Sequence, residues 1–164
     1  MSKNKIKSIR KKIDSIDHQL LELIQNRGLL AQEIGDLKGL IASNTSFYKP
    51  NREAEILRNI SKLSEGPISE KKIKYIFKEI ISSCLSLEEE LTIAFLGPQG
   101  THSEAAVIRH FGSSALRSPR STIEDVFHHV RTGSVNFGIV PVENSSEGVV
   151  NATLNCLADE EIKI

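Results

Sequence analysis

The sequence predicts two architectures in one chain: an all-α domain of three helices over residues 1–91, followed by an α/β segment with a mostly parallel sheet over residues 92–164. Apolar residues recur at helical spacing in the first part, whereas short apolar strands alternate with helices in the second. The composition changes at the same place, because twelve of the thirteen lysines precede residue 92. The formal charge is +3 before this boundary and −3 after it.

The first helix is predicted from Ile6 to Ala42. Its apolar residues alternate spacings of three and four without a break, a pattern typical of a heptad seam. At 1.5 Å per residue this helix would extend roughly 55 Å, well beyond the ~30 Å width of a small domain. We therefore expect a partner chain to cover the seam.

Two shorter helices are predicted to complete the first part. A cluster of turn-forming residues at 43–46 separates the first helix from the second, and Pro50 suits the first turn of that second helix. Gly66-Pro67 ends it. Ser69 is the predicted N-cap of the third helix, whose apolar stripe continues to Leu91.

In the second part, strands and helices alternate, which is typical of a parallel α/β sheet. A Gly-Pro-Gln-Gly turn separates the first strand from the first helix. The predicted elements are a strand at Thr92–Leu96, helices at His102–Phe111 and Ile123–Arg131, a strand at Asn136–Val142, a helix at Val149–Ala158 and the start of a strand at Glu161–Ile164.

The overall charge excludes some classes of partner. The 21 basic and 21 acidic side chains cancel, so neither nucleic acid nor a membrane surface is expected as a partner. Residues 1–12 lack the pattern of a signal peptide, and the two cysteines, Cys84 and Cys156, predict a reduced cytoplasmic protein. The adjacent His128 and His129 have no matching acid or thiol, so no metal site is predicted.

Charged residues interrupt the apolar faces of the helices. Arg27 occupies a seam position, where an unpaired guanidinium would cost several kcal/mol. Lys38 lies eleven residues further on, about three turns, and shares that face. Arg10 points about 100° away from Arg27, so in a dimer it could serve the partner's site.

The shorter helices add further inward charges. Arg52 and Glu53 flank the apolar face of the second helix, and Glu88 continues the stripe of the third. Together with Arg10, Arg27 and Lys38 they form a predicted ring of four cations and two carboxylates, an excess of positive charge that suits a dianionic ligand. The alternative is that Arg27 forms a structural ion pair with Glu53 or Glu88. Three glycines on one stripe of the first helix leave room for a close helix or a ligand: Gly28, Gly35 and Gly39.

These charged positions and the segment Tyr48–Glu53 resemble the all-helical chorismate mutases, over nearly all of residues 1–91. The resemblance implies an intertwined homodimer that rearranges chorismate to prephenate without a metal or cofactor, with Arg10 donated across the interface. Arg10 and Arg27 would bind the two substrate carboxylates, and Lys38 and Glu88 would donate hydrogen bonds to the ether oxygen.

The same resemblance implies roles for four further residues. Glu53 would position the ring hydroxyl, Arg52 would support it, and Lys49 and Cys84 would line the substrate pocket. The family often has glutamine at the position of Glu88, and a glutamate donates a hydrogen bond only when it is protonated. We therefore expect mutase activity to fall as the pH rises, and Glu88→Gln to flatten that profile.

Residues 93–103 and 138–148 resemble two signatures of prephenate dehydratases. In bifunctional bacterial proteins of phenylalanine synthesis, such a mutase precedes the dehydratase. The resemblance implies the first lobe of a periplasmic-binding-protein-like domain. Its substrate-binding residues would be Thr101, Ser103, Asn144 and Ser145.

The start of the helix at 102 also has a structural interpretation, and a missing motif bears on the dehydratase activity. Thr101 and Glu104 are also predicted to form a capping box. The catalytic Thr-Arg-Phe motif of the dehydratases does not occur in the 164 residues, so we expect an incomplete dehydratase domain without that activity. The alternatives to a mutase are a non-catalytic binding module for prephenate or an aromatic amino acid, and a structural coiled coil.

Overall fold

The computed structural model describes residues 2–41, 48–144 and 148–158. It confirms the three-helix part followed by an α/β part. The helices are α1 (Ser2–Ile41), α2 (Pro50–Leu63) and α3 (Glu70–Glu88). The turn predicted at 43–46, the strand predicted at Glu161–Ile164 and the candidate residue Ser145 lie outside the described residues.

Helix α1 contains 40 residues and is about 60 Å long. All side chains from residue 3 to residue 26 are exposed, and α1 packs against α3 through its C-terminal part. Two of the three glycines permit that packing. A Cβ on Gly28 would lie 3.4 Å from Leu87 Cδ1, and a Cβ on Gly35 would lie 3.0 Å from the Cα of Glu88. Gly39 has open space around it, so the small-residue stripe serves a close helix at two of its three positions.

Helices α2 and α3 begin where the sequence predicts. Pro50 occupies the first turn of α2, and the Lys49 carbonyl accepts the backbone N–H groups of Arg52 and Glu53 at 2.9 and 3.1 Å. Ser69 stands at the N-cap of α3, but its side chain makes no capping hydrogen bond. The predicted position of the N-cap is therefore confirmed, whereas the side-chain hydrogen bond expected of such a cap is wrong.

The second part contains a parallel three-stranded sheet in the order β2-β1-β3. Its strands and the helices between them are β1 (Thr92–Leu96), α4 (His102–Phe111), β2 (Leu116–Arg120), α5 (Ile123–Arg131) and β3 (Phe137–Ile139). The sequence prediction missed β2, because the segment Leu-Arg-Ser-Pro-Arg has little apolar character. It is an edge strand, where a proline is tolerated.

The last described elements differ from the prediction in their bounds. Strand β3 is shorter than the predicted Asn136–Val142. The following residues form an antiparallel pair of β4 (Glu143–Asn144) and β5 (Gly148–Val149), which the sequence did not predict. Helix α6 (Asn151–Ala158) begins two residues after the predicted start at Val149. No helix in the described ranges has both the length and the apolar character needed to cross a membrane.

The central strand β1 is buried on both faces, as expected of a parallel strand between helices. Ala94 faces a small cluster with Val126 and Val135. Ile93 and Phe95 face the main cluster, whose other buried members are Tyr48, Leu91, Val107, Phe111 and Ala115. Tyr48 belongs to the helical part, so side chains from both parts build this core. The domain boundary at residue 91 stays a prediction.

Hydrogen bonds also join the two parts along α3. Ser82 Oγ donates to the carbonyl oxygen of Phe111 at 2.8 Å, and the Ser113 N–H donates to Glu79 Oε2 at 3.3 Å. Gly112, with φ of +81°, lies against the Ser82 side chain, where a Cβ would collide. The α/β part is therefore docked on the C-terminal half of α3.

Candidate active site

A cavity of about 290 Å³ lies between the C-terminal part of α1, the start of α2 and the second half of α3. Its wall includes apolar side chains from all three helices, such as Ile34, Ile56 and Ile81. Its charged lining residues are Arg27, Lys38, Lys49, Arg52, Glu53 and Glu88. Five of the six residues predicted as catalytic therefore meet in one cavity, together with the predicted lining residues Lys49 and Cys84.

The charge of the lining favours an anionic guest. Four cations face two carboxylates, so the lining carries an excess of two positive charges. The predicted ring also had four cations, but it counted Arg10, and the structure has Lys49 in that count instead. Arg10 is exposed on α1, roughly 25 Å along the helix from Arg27, and does not reach this cavity within one chain.

Arg27 is half-buried, and its Nη1 donates a long hydrogen bond of 3.5 Å to the carbonyl oxygen of Ile80. Among the described residues, no carboxylate lies within salt-bridge distance of its guanidinium. The alternative of a structural ion pair between Arg27 and Glu53 or Glu88 is therefore wrong within this part of the chain. Its positive charge is available to a ligand.

Lys38 and Glu88 form a salt bridge across the contact between α1 and α3. Lys38 Nζ donates to Glu88 Oε2 at 3.2 Å, and the two side chains are 30% and 15% exposed. In this salt bridge Glu88 accepts a hydrogen bond, whereas its predicted role is to donate one to the ether oxygen. That role stays a prediction.

Glu53 pairs with a residue that the sequence prediction missed. Lys78 Nζ lies 3.5 Å from Glu53 Oε1, with side-chain exposures of 24% and 14%. Lys78 precedes Ile81, Leu85 and Glu88 at spacings of three, four and three, and this helical periodicity was the signal that could have found it. Arg52 turns outward to Glu55 at 2.8 Å in an exposed pair.

Tyr48 is the second residue whose importance the sequence did not reveal. It lines the cavity, and its hydroxyl lies 3.2 Å from His110 Nε2 of α4. Burial, and to a smaller extent the negative charge of Glu53, raises the pKa of Tyr48 to about 12. The hydroxyl is therefore neutral at physiological pH and acts as a hydrogen-bonding group.

The candidate residues of the α/β part lie apart from this cavity. Thr101 and Ser103 lie at the start of α4, and Asn144 lies in β4, paired with Gly148. Asn144 lies five residues beyond the end of β3 at Ile139, not two residues beyond a strand end at Val142, so the predicted bounds of that strand are wrong at its C-terminal end. The remaining candidate, Ser145, is outside the described residues.

The capping box at α4 differs from its prediction by one residue. The Glu104 N–H donates to Thr101 Oγ1 at 3.5 Å, as expected of an N-cap. The Glu104 carboxylate, however, accepts the N–H of Gly100 at 2.6 Å instead of that of Thr101. Glu104 also forms a salt bridge with Arg117 of β2 at 3.1 Å, which ties α4 to the sheet.

Comparison with known proteins assigns the helical part, which contains this cavity, to a family. Residues 9–89 match the family model of chorismate mutase type II, and every residue that lines the cavity falls within that range. The helical part is a type II chorismate mutase domain. Residues 93–164 match the prephenate dehydratase family, so the α/β part carries dehydratase sequence after the mutase domain.

The names of curated relatives combine the same two families. The chain is 44% identical to the bifunctional chorismate mutase/prephenate dehydratase of Stutzerimonas stutzeri, over 98% of this chain and 45% of that protein. It is 43% identical to the protein of the same name from Pseudomonas aeruginosa, with the same coverage. The Aquifex aeolicus protein is 42% identical over 97% of this chain and 44% of its own length. The chain thus spans less than half the length of these relatives.

Proposed function

We propose that the chain is an isomerase that converts chorismate to prephenate, in the biosynthesis of phenylalanine. The observation that carries the proposal is the cavity of the mutase domain, with its excess of two positive charges and an Arg27 guanidinium without a carboxylate partner among the described residues. Chorismate carries two carboxylates. Its size suits a cavity of about 290 Å³, near the lower end of the range for small-molecule sites.

The proposed reaction is an intramolecular rearrangement, so the site needs neither a nucleophile nor a covalent intermediate. Its tasks are to hold the compact conformer in which the reacting carbons meet and to stabilise charge on the ether oxygen as its bond breaks. Arg27 binds one substrate carboxylate through a bidentate pair. Arg10 of the partner subunit binds the other.

Lys38 and Glu88 act on the ether oxygen. The attraction between the positive charge of Lys38 and the ether oxygen becomes stronger as the oxygen becomes negative. Lys38 therefore lowers the energy of the transition state more than that of bound chorismate. Glu88 donates the second hydrogen bond to the ether oxygen, a role that requires its protonated form.

The other lining residues orient the ring. Glu53 accepts a hydrogen bond from the ring hydroxyl, and the salt bridge to Lys78 holds its carboxylate in place. Arg52 lies on the same turn of α2 as Glu53 and supports it once its guanidinium has left the exposed Glu55. Lys49 and Cys84 line the pocket, and Cys84 is buried.

We propose a homodimer formed through α1. The seam residues Ile6, Ile9, Ile13 and Ile16 are each about half exposed, and their burial against a second copy would remove a large apolar surface from water. A partner helix along this seam brings a second Arg10 toward the cavity. We propose a cytoplasmic location, because the sequence contains only two cysteines and is not rich in potential disulfides.

For the α/β part, we propose that Thr101, Ser103, Asn144 and Ser145 contribute to prephenate binding. We expect no dehydratase turnover from these residues, because the 164 residues contain no Thr-Arg-Phe tripeptide. Calorimetry with prephenate and with phenylalanine would test binding without turnover.

The direct test is incubation of the purified chain with chorismate. The expected result is loss of chorismate absorbance with accumulation of prephenate and no phenylpyruvate. Arg27→Ala is the control, and it should abolish most of the loss. If chorismate persists in the presence of the folded wild-type protein, the proposal is wrong.

A further inference from the structure

The wall between the mutase cavity and the core of the α/β part is one side chain thick. Tyr48 and Leu85 both line the cavity, and both pack in the cluster that contains Ile93 and Phe95. A shift of the α/β core therefore reaches the cavity through these two side chains, without any intervening layer.

Three aromatic side chains of the α/β part hold the Tyr48 ring. Phe111 and Phe137 lie with their ring centroids 5.2 and 5.5 Å from it, distances at which aromatic rings attract. His110 meets it edge-on, with its Nε2 3.2 Å from the Tyr48 hydroxyl. The rings fix the plane of Tyr48, and the hydrogen bond fixes its direction.

The backbone carries this placement into the charged lining. Lys49 follows Tyr48 directly, and its carbonyl accepts the N–H groups of Arg52 and Glu53. The position of Tyr48 therefore determines where the first turn of α2 begins. It also determines the position of three charged residues of the cavity: Lys49, Arg52 and Glu53. A displaced Tyr48 would move this turn relative to Arg27 and Lys38 on α1.

We propose that His110, a residue of the dehydratase-like part, is a positioning residue of the mutase site: it holds Tyr48 and thereby places Lys49 and the first turn of α2. This inference rests on the proposed mutase function. His110 does not line the cavity and is exposed on α4. It acts through Tyr48 and not on the substrate.

Kinetics on the intact chain test the proposal. Loss of one hydrogen bond that orients binding groups should raise the KM for chorismate about fivefold in His110→Ala, with kcat changed less than twofold. His110→Gln retains a side-chain amide near the position of Nε2 and should restore most of the affinity. His128→Ala, an exposed histidine of α5 away from the helical part, is the matched control.

A double-variant cycle separates positioning from general destabilisation. Tyr48→Phe removes the other partner of the same hydrogen bond, so the double variant with His110→Ala should have the KM of the single variants. Additive effects of the two substitutions, or a His110→Ala enzyme with the KM of His128→Ala, would overturn the proposal.

An independent readout does not depend on turnover. The chain has two tyrosines, and 3-fluorotyrosine labelling would give two fluorine resonances. In His110→Ala the Tyr48 resonance should shift while that of exposed Tyr75 stays in place. If the wild type fails to convert chorismate, the proposed function is wrong whatever this spectrum shows. If the wild type is active but the Tyr48 resonance does not respond to His110→Ala, the positioning role is wrong.

Discussion

The backbone of Glu88 closes directly on Gly35: the Glu88 Cα lies 3.0 Å, and its carbonyl oxygen 3.3 Å, from the point where a Cβ on Gly35 would stand. Gly35 lies one turn before Lys38, which forms its salt bridge with the same Glu88. The absence of a side chain at residue 35 thus sets the separation of α1 and α3 at the point where the two predicted catalytic groups meet.

Gly35→Ala should push the two helices apart, because the obstructing atoms are backbone and cannot rotate away. We expect a loss of about 1–3 kcal/mol in the free energy of unfolding and at least about a tenfold loss of mutase activity. Gly39→Ala is the matched control on the same helix. It has open space around it and should gain up to about 1 kcal/mol from helix propensity. Thermal melting measures the stability of the two variants, and chorismate turnover measures their activity. Equal stability and activity of Gly35→Ala and Gly39→Ala would contradict the packing argument.

Glu88→Gln tests the protonation of the second donor. If only protonated Glu88 donates to the ether oxygen, activity is full at low pH and falls as Glu88 ionises with rising pH. Glutamine donates at every pH, so the profile of kcat/KM for the variant should be flat over the same range. A wild-type profile that is already flat would remove the donor role from Glu88.

Arg10 and Arg27 together test the shared site. In a dimer whose sites combine Arg27 of one chain with Arg10 of the other, Arg10→Ala and Arg27→Ala are each inactive. A heterodimer of the two variants has one site with both substitutions and one intact site. After mixing and refolding in equal amounts, about a quarter of the wild-type activity should return, since half of the dimers are heterodimers. No recovery, with dimers present by sedimentation, would show that Arg10 does not cross the interface.

Lys78→Met tests the support of Glu53. Removal of the ammonium leaves a mostly buried carboxylate without its partner, so we expect a KM for chorismate raised about threefold to tenfold. Lys74→Met is the matched control. Its salt bridge to Glu70 is exposed, and such pairs contribute little, about 0–1 kcal/mol. An unchanged KM in Lys78→Met would mean that Glu53 keeps its place without this salt bridge.

The raised pKa of Tyr48 predicts a loss of stability in strong base. The pKa is about 12 in the folded protein and about 10 in the unfolded chain. As the pH rises, the unfolded chain therefore loses the Tyr48 proton before the folded protein does. The stabilisation of the folded state by neutral Tyr48 is fully present below pH 10 and is lost as the pH rises from 10 to 12. The Tyr48→Phe variant has no ionisable group at this position. Its free energy of unfolding should therefore depend less on pH in that window than that of the wild type. Urea titrations at pH 9, 10 and 11 would measure the difference.

Local periodicity was sufficient for most of the secondary structure. The three helices and the β1–α4 unit follow from apolar spacing and turn residues, which depend only on neighbours along the chain. The same spacing brought Arg27 and Lys38 to one face of α1. Strand β2 was missed because an edge strand is shaped by its pairing with β1 and not by its own apolar content.

The sequence by itself determined which helices form and that they carry inward charge, because both are properties of a single helix. Only the tertiary structure decided how those charges pair. Lys38 pairs with Glu88 and Lys78 pairs with Glu53, whereas Arg27 has no carboxylate partner among the described residues, because these distances depend on how separate helices pack. It also placed Tyr48 between the mutase cavity and the core of the α/β part. No local pattern specifies that contact, which joins residues 62 positions apart through the packing of the α/β part against the helical part.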